Sequence, residues 1–331
     1  MFLYNVHIIR GEIMRKKIEL QEIQEKNLTL EQGFKKFIVS CKVKNLRPST
    51  IKHYKDIVGV FFKFIPKKTL CSEITKEIID RFVIYMQENR KEKDVSINST
   101  LMNLRVFIYY LMRYDYVPTF KISKLKVDKD IINTYSDAEI KILLKKPDLK
   151  KCKFLEYRNW VICNFLLGTG CRARTLVNLK IKDLDFENNL ITYRFTKNRR
   201  QQIIPMSSAL RNILLEYLEY RKGQEDDYLF VNAYGEYLKT EWLSHNLIDY
   251  NRKRGVATTG VHRWRHTFAK KWILNHGDIF RLQKILGHSS MDMVRNYVNM
   301  FQTDLSNEFD KFNPLDQMEQ NRKGYIKMQR K

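Results

Sequence analysis

The sequence predicts a mainly α-helical protein with one small β-sheet, an α+β chain of two domains. Three observations lead to this prediction. Apolar residues recur at spacings of three and four along most of the chain, which is the periodicity of helices packed on one face. Two short segments typical of β-strands flank a basic turn near residue 197. The chain has 331 residues but only 12 glycines and 6 prolines, so it can fill two domains with few tight turns.

Four segments with helical periodicity occupy the first part of the chain. Because each has one apolar stripe, the four can bury those stripes against one another. We therefore predict a compact four-helix domain over residues 27–117, preceded by an N-terminal extension over 1–26. The stripes run from Leu30 to Cys41, Ile51 to Ile65, Ile78 to Met86 and Leu101 to Met112.

A Lys- and Asp-rich stretch then interrupts the pattern, and we interpret residues 118–133 as a linker. The second domain is predicted over 134–312, followed by a basic tail over 313–331. Its first helix should begin at Ser136, because Ser136 and Glu139 have the spacing of a capping box. The other predicted elements are a buried helix from Phe154 to Leu167, strands from Leu190 to Phe195 and Gln201 to Ile204, and helices near 207–222, 240–254, 262–276, 278–286 and 290–299.

The net charge of +24 is the first indication of function. Residues 1–130 hold 26 basic and 15 acidic side chains and the remainder hold 35 and 22, so the positive charge is spread over both halves. A basic surface of this kind favours a polyanionic partner, since neutralised phosphates release their counterions. A simple solvated surface explains the charge equally well when it is considered alone.

The sequence gives no support for a metalloprotein, a disulfide-stabilised protein or a membrane protein. The five cysteines form no CxxC pair and have no histidine cluster at ligand spacing, so no metal or other cofactor is expected. The N-terminal residues lack the features of a signal peptide, and no apolar run is long enough to cross a bilayer. We expect a cytoplasmic protein with reduced cysteines.

Several side chains of the second half suit metal-free cleavage of a DNA phosphate. That reaction needs a nucleophile, cations for the phosphoryl oxygens and an acid for the leaving oxygen. Arg172 follows the turn at Gly170 and could hold two phosphoryl oxygens with its planar fork. Taken alone, a surface salt bridge is the more common role of an arginine.

His262 and Arg265 lie at i and i+3 on a predicted helix, with His266 next to them, so an imidazole and a guanidinium share one face. Further on, Gly287 and His288 form a helix stop, and Tyr297 follows on the next predicted helix. Each residue has an ordinary structural interpretation when taken singly: an ordinary amphipathic helix, a simple helix end and a core or surface tyrosine.

Together these residues resemble the signature of the tyrosine recombinases, the phage integrase family. The order, local sequence and separations of the motifs all match. The N-terminal segments Arg47-Pro48-Ser49-Thr50-Ile51 and Ser99-Thr100-Leu101-Met102-Asn103-Leu104-Arg105 resemble the family's SAM-like core-binding domain. The catalytic part of the resemblance consists of Thr169-Gly170-Cys171-Arg172, Lys197, His262-x-x-Arg265, Leu286-Gly287-His288 and Tyr297.

The resemblance implies a role for each matching residue. Tyr297 would attack the scissile phosphate and form a 3′-phosphotyrosyl link, while Arg172 and Arg265 would hold the non-bridging oxygens. Lys197 would protonate the leaving 5′-oxygen. His262 would act as a base or hydrogen-bond partner for the tyrosine hydroxyl, and His288 would donate to the phosphate. Neither a metal nor ATP would be needed.

The resemblance also implies the partners. These are double-stranded DNA recombination sites, a homotetramer on DNA that passes through a Holliday junction, and DNA-bending or directionality proteins as accessory factors. The free protein would be a monomer or weak dimer in a bacterial cytoplasm, associated with the nucleoid when bound to DNA. The residues after Tyr297 favour an integrase or transposase of a mobile element over the Xer-type chromosome-resolving enzymes.

One position departs from the family pattern. Thr175 lies three residues after Arg172, at a position where the family usually has Glu or Asp. That acid normally orients the side chains that contact the substrate. Thr175 supports one alternative, a non-catalytic DNA-binding protein with the same fold. A type IB topoisomerase-like enzyme, which uses similar chemistry but relaxes DNA, is a second alternative.

Overall fold

A computed structural model describes residues 28–127, 133–196 and 201–287, together with residues 290, 291, 295, 313 and 315. The chain divides into two compact units, Met1–Lys129 and Asp130–Lys331. Each unit has a hydrophobic core of its own. Among the described residues, none of the helices combines the length and apolar character needed to span a bilayer.

The first unit contains four α-helices: α1 (Leu30–Val43), α2 (Pro48–Phe64), α3 (Lys76–Glu88) and α4 (Asp94–Arg113). Helix α1 begins where Thr29 and Gln32 form a reciprocal capping box. Pro48 opens α2, where its missing N–H costs nothing. Helix α4 contacts the other three helices, and its Phe107 is fully buried in the shared core. The predicted four-helix arrangement is confirmed.

The chain after α4 stays with the first unit for at least ten residues. Ile122 is buried, and the side-chain amide of Asn98 on α4 exchanges hydrogen bonds with the backbone of Leu125 at 2.8 and 3.0 Å. The predicted linker begins at residue 118, so its described part, up to residue 127, is fastened to α4.

The second unit is a helical layer with a small sheet. Helix α6 is buried over most of its circumference because its sequence is apolar on nearly every side, and α10 packs along it. As predicted, the Ser136–Glu139 capping box starts α5. The α-helices of the described part are α5 (Asp137–Leu143), α6 (Phe154–Thr169), α7 (Ala173–Val177), α8 (Ser208–Arg221), α9 (Thr240–Lys253), α10 (Val261–Leu274) and α11 (Ile279–Leu286).

The sheet has three antiparallel strands in the order β1 (Leu184–Asp185), β2 (Leu190–Tyr193) and β3 (Gln202–Pro205). The predicted hairpin of β2 and β3 is confirmed, with each strand ending within two residues of its predicted bounds. Strand β1 was not predicted, because two residues are too few to show an alternating pattern. The predicted helix near 290–299 lies outside the described residues, apart from single positions.

Candidate active site

A glycine turn at Gly170 determines the course of the chain just before Arg172. Gly170 ends α6 in the left-handed conformation, with φ at 60°, and Arg172 then precedes α7 as its N-cap residue. A Cβ atom at position 170 would lie 2.5 Å from the Phe268 ring and 2.8 Å from Leu286. Glycine is therefore needed both for the turn and for the close approach of α10 and α11.

Arg172 reaches across to the end of α11. Its Nη1 donates to the backbone carbonyl of Leu286 at 3.2 Å, and its Nη2 to the carbonyl of Gly287 at 3.5 Å. Gly287 ends α11 in the left-handed conformation, with φ at 61°. The Arg172 side chain is partly exposed, so it lies at the surface of the unit while it is held at two points.

Arg265, on α10, also donates to the carbonyl of Leu286. Its Nη2 donates to the Leu286 carbonyl at 2.8 Å, and its Nη1 to the Gly170 carbonyl at 2.9 Å. The residue is only 5% exposed. Arg172 and Arg265 therefore place their guanidinium groups on one oxygen atom, although 93 positions of sequence separate them.

This arrangement concentrates positive charge at one point. The carbonyl end of a helix carries a partial negative charge, which stabilises cations close to it. Backbone carbonyls are neutral acceptors, however, so they do not cancel two full charges. Arg172 is the more exposed of the two, and a guanidinium group is a planar set of N–H donors that suits the oxygens of a phosphate.

His262 belongs to the same group of charges. It lies in the first turn of α10, and the residue is exposed. Partial desolvation of the imidazole lowers the pKa of His262 from its usual value, and the positive charges of Arg265 and Arg172 lower it further. The structure therefore brings Arg172, His262 and Arg265 together, with the histidine biased toward its neutral form at neutral pH.

His266 lies one helical turn further along α10. The pKa of His266 is also lowered, first by desolvation and then by the charges of His262, Arg265 and Arg263. Its position behind His262 makes it part of the same electrostatic group.

Thr175 is buried, and its hydroxyl lies 3.3 Å from the carbonyl oxygen of Phe195, to which it donates. Phe195 follows β2 and lies two positions before residue 197 in the sequence. At this position, where the family usually has an acid, the neutral hydroxyl of Thr175 therefore holds the chain that follows β2.

Three of the six predicted site residues are not among the described positions. Lys197, His288 and Tyr297 lie outside the described residues, and their predicted roles stay predictions. The chain on each side of Lys197 is described, and so is Gly287 immediately before His288.

The sequence did not indicate Gln202, which the structure places beside the two arginines. The side-chain amide of Gln202, on β3, donates to the carbonyls of Lys284 and Ile285 at 2.6 and 2.8 Å. An amide side chain in a short strand carries no motif, so only the folded arrangement reveals this contact.

Comparisons with known proteins agree with the two units. Residues 29–127 match the phage integrase SAM-like domain, and residues 133–303 match the phage integrase family. The first of these ranges lies in the helical unit, and the second contains Arg172, His262 and Arg265.

Curated relatives match over most of their length. Tyrosine recombinase XerC of Staphylococcus aureus strain bovine RF122 / ET3-1 is 28% identical over 274 residues, which are 80% of this chain and 90% of the relative. Tyrosine recombinase XerC of Leptospira interrogans serovar copenhageni is 27% identical over 294 residues, which are 86% of this chain and 94% of the relative.

Solved structures share the fold. The Tn1549 transposon integrase in complex with a circular intermediate DNA has a TM-score of 0.69 at 20% identity and covers 84% of this chain and 99% of its own. A lambda integrase dimer bound to a COC′ core site has a TM-score of 0.64 at 17% identity, with 80% and 97% covered. Because the family match spans more than half of its residues, the chain belongs to the phage integrase family, the tyrosine recombinases.

Proposed function

We propose that this protein is a site-specific recombinase of a mobile element, which cleaves and rejoins DNA through a 3′-phosphotyrosyl intermediate at Tyr297. The observation that carries the proposal is the meeting of Arg172 and Arg265 on the Leu286 carbonyl, with His262 within reach of their charges. Two guanidinium groups at one point are suited to a phosphodiester whose negative charge grows in the transition state.

In this mechanism the Tyr297 oxygen attacks the scissile phosphorus and the bond to the 5′-oxygen breaks. Arg172 and Arg265 hold the non-bridging oxygens, and His288 donates a further hydrogen bond to them. Neutral His262 accepts the hydrogen bond or proton of the tyrosine hydroxyl, while Lys197 protonates the departing 5′-oxygen. Attack by the 5′-hydroxyl of another strand on the phosphotyrosine then reverses these steps and releases Tyr297.

The helical unit is proposed to hold the same DNA by its phosphates. Around the junction of α1 and α2, the side chains of Lys42, Lys44, Lys52 and Lys55 are exposed. Lysines in this arrangement contact phosphates without reading sequence, and the binding they provide weakens as salt rises.

Exchange of two strand pairs needs four active sites, so we propose that four copies assemble on two DNA sites and pass through a Holliday junction. DNA-bending or directionality proteins would assist at the recombination site. Such a protein would act in the bacterial cytoplasm, on the nucleoid.

A second candidate is a chromosome-resolving role of the Xer type. It is favoured by the XerC relatives, which match more than three quarters of this chain at 25–28% identity. Both candidates use the same chemistry, and they differ in the DNA that the protein recognises.

Covalent trapping separates the candidates. The full-length protein is incubated with duplexes that carry a nick close to the candidate cleavage position, so that the short released strand diffuses away and the adduct persists. We expect an adduct on the DNA that borders the gene and none on a chromosomal resolution site. The opposite pattern would establish the Xer-type role, and the absence of an adduct on every duplex would refute the recombinase proposal.

The lowered pKa of His262 predicts the pH dependence of cleavage. If neutral His262 receives the hydrogen bond of Tyr297, cleavage at saturating DNA should fall as the pH drops below the usual histidine value of about 6.5 and His262 becomes protonated. Single-turnover rates between pH 5 and pH 8 measure this. His262→Asn should be slow and should lose that acidic limb, whereas His245→Asn, at an exposed histidine on α9, should keep it.

A further inference from the structure

The last turn of α11 receives side-chain donors from three directions. A helix normally leaves its final carbonyls without partners inside the helix. Here Gln202 donates to the carbonyls of Lys284 and Ile285, and both arginines donate to the next carbonyl, that of Leu286. The position of the point where the arginines meet therefore depends on a helix end that Gln202 holds.

The side chain of Gln202 packs closely against the backbone of Gly287. A Cβ atom at position 287 would lie 2.7 Å from Oε1 of Gln202 and 3.7 Å from Nη1 of Arg172. Gly287 thus leaves room for the amide as well as providing the left-handed turn. The amide and the Arg172 guanidinium lie on the same side of the helix end, as neighbours.

Gln202 is also the first residue of β3, and residues 196–201 separate it from Phe195, whose carbonyl Thr175 holds. The chain on each side of residue 197 is therefore tied to the site: through Thr175 to α7, which follows Arg172, and through Gln202 to α11, which precedes His288. Among the described residues, the link between Gln202 and α11 consists of two short hydrogen bonds, which cross 82 and 83 positions of sequence.

We infer that Gln202 is a positioning residue for the cleavage reaction. It fixes the end of α11, and with it the carbonyl that locates Arg172 and Arg265, and it joins the hairpin that carries Lys197 to the chain that leads into His288. This inference rests on the proposed function, because the reaction it serves is the cleavage step.

The test replaces Gln202 with a side chain of similar size that cannot donate. Gln202→Met should lower the single-turnover rate constant for adduct formation about 10- to 100-fold, the usual effect of removing a group that orients catalytic residues. DNA affinity and the final yield of adduct should change little. A merely structural role would instead lower the yield, through a smaller folded fraction, and leave the rate constant of the remaining protein unchanged.

The sequence offers a matched control at the preceding position. Gln201 is an exposed glutamine next to Gln202, so Gln201→Met makes the same change without touching α11. Equal rate constants for the two variants would overturn the inference. If Gln202→Met does not fold, Gln202→Leu removes the donor with a smaller, uncharged side chain, and a loss of rate in the same direction is expected.

A second measurement does not depend on cleavage. Hydrogen exchange of the backbone amides at residues 284–287 should accelerate in Gln202→Met and stay unchanged in Gln201→Met, because only the first variant frees the helix end. Unchanged exchange rates in Gln202→Met would show that Gln202 does not hold the end of α11. If no adduct forms even with the unaltered protein, the proposed function fails, and the exchange result still decides whether Gln202 holds α11.

Discussion

Replacing Tyr297 with phenylalanine is expected to abolish the covalent protein–DNA adduct while DNA affinity stays unchanged. The substitution removes only the phenol oxygen, so the ring can still pack but no nucleophile remains to attack the phosphorus. Loss of a nucleophile lowers the rate by on the order of 10⁴-fold or more, which is below detection in a gel assay.

The measurement compares the two proteins on the same nicked duplex. Denaturing gels report the adduct, and binding is followed in parallel by gel shift. Tyr234→Phe is a suitable control, because Tyr234 is 87% exposed in the second unit and the substitution removes the same phenol oxygen from a residue with no predicted role in cleavage. An undiminished yield of adduct in Tyr297→Phe would show that another side chain is the nucleophile.

Arg172→Ala is expected to slow cleavage by roughly 100- to 1000-fold, the usual cost of removing one preorganised donor to a developing oxyanion. The loss in DNA affinity should be much smaller, because the guanidinium acts mainly on the charge that appears in the transition state. Arg172 is a better choice than Arg265 for this experiment. Arg265 is buried and donates to the carbonyls of both Gly170 and Leu286, so its truncation would also remove two hydrogen bonds inside the unit and lower the stability of the fold.

Arg174→Ala provides the matched control for charge. Arg174 lies on α7 two residues after Arg172, and it is exposed. Both variants lose one positive charge from the start of α7 or the residue before it, so a general effect of charge on DNA binding should appear in both. Equal losses of rate and affinity in Arg172→Ala would indicate an ordinary phosphate anchor and contradict the proposed catalytic role. Thermal unfolding of each variant verifies that the fold is intact.

The elements that the sequence predicted well are those whose information is local. The stripe of α1 and the capping box of α5 are contained in a dozen residues or fewer, so periodicity and spacing suffice for them. Arg172 and Arg265 were paired through a motif resemblance, and the structure gives the physical reason: both reach the same carbonyl at the end of α11.

The features that escaped prediction depend on contacts between distant positions. The bonds of Gln202 to α11 cross more than 80 positions, and no local pattern distinguishes this glutamine from Gln201. Thr175 illustrates a related limit. The sequence indicated a missing acid, but only the fold reveals that its hydroxyl holds the Phe195 carbonyl. A side chain of another chemical type can thus support the same hairpin, which residue identity alone does not indicate.

The separate cores of the two units bear on whether one unit could be exchanged for another. Each of the main hydrophobic clusters draws its side chains from one unit alone: residues 28–125 in the first unit and residues 135–264 in the second. A helical unit from another recombinase could therefore be joined to residues 133–331 without removing any side chain from the main core of the second unit.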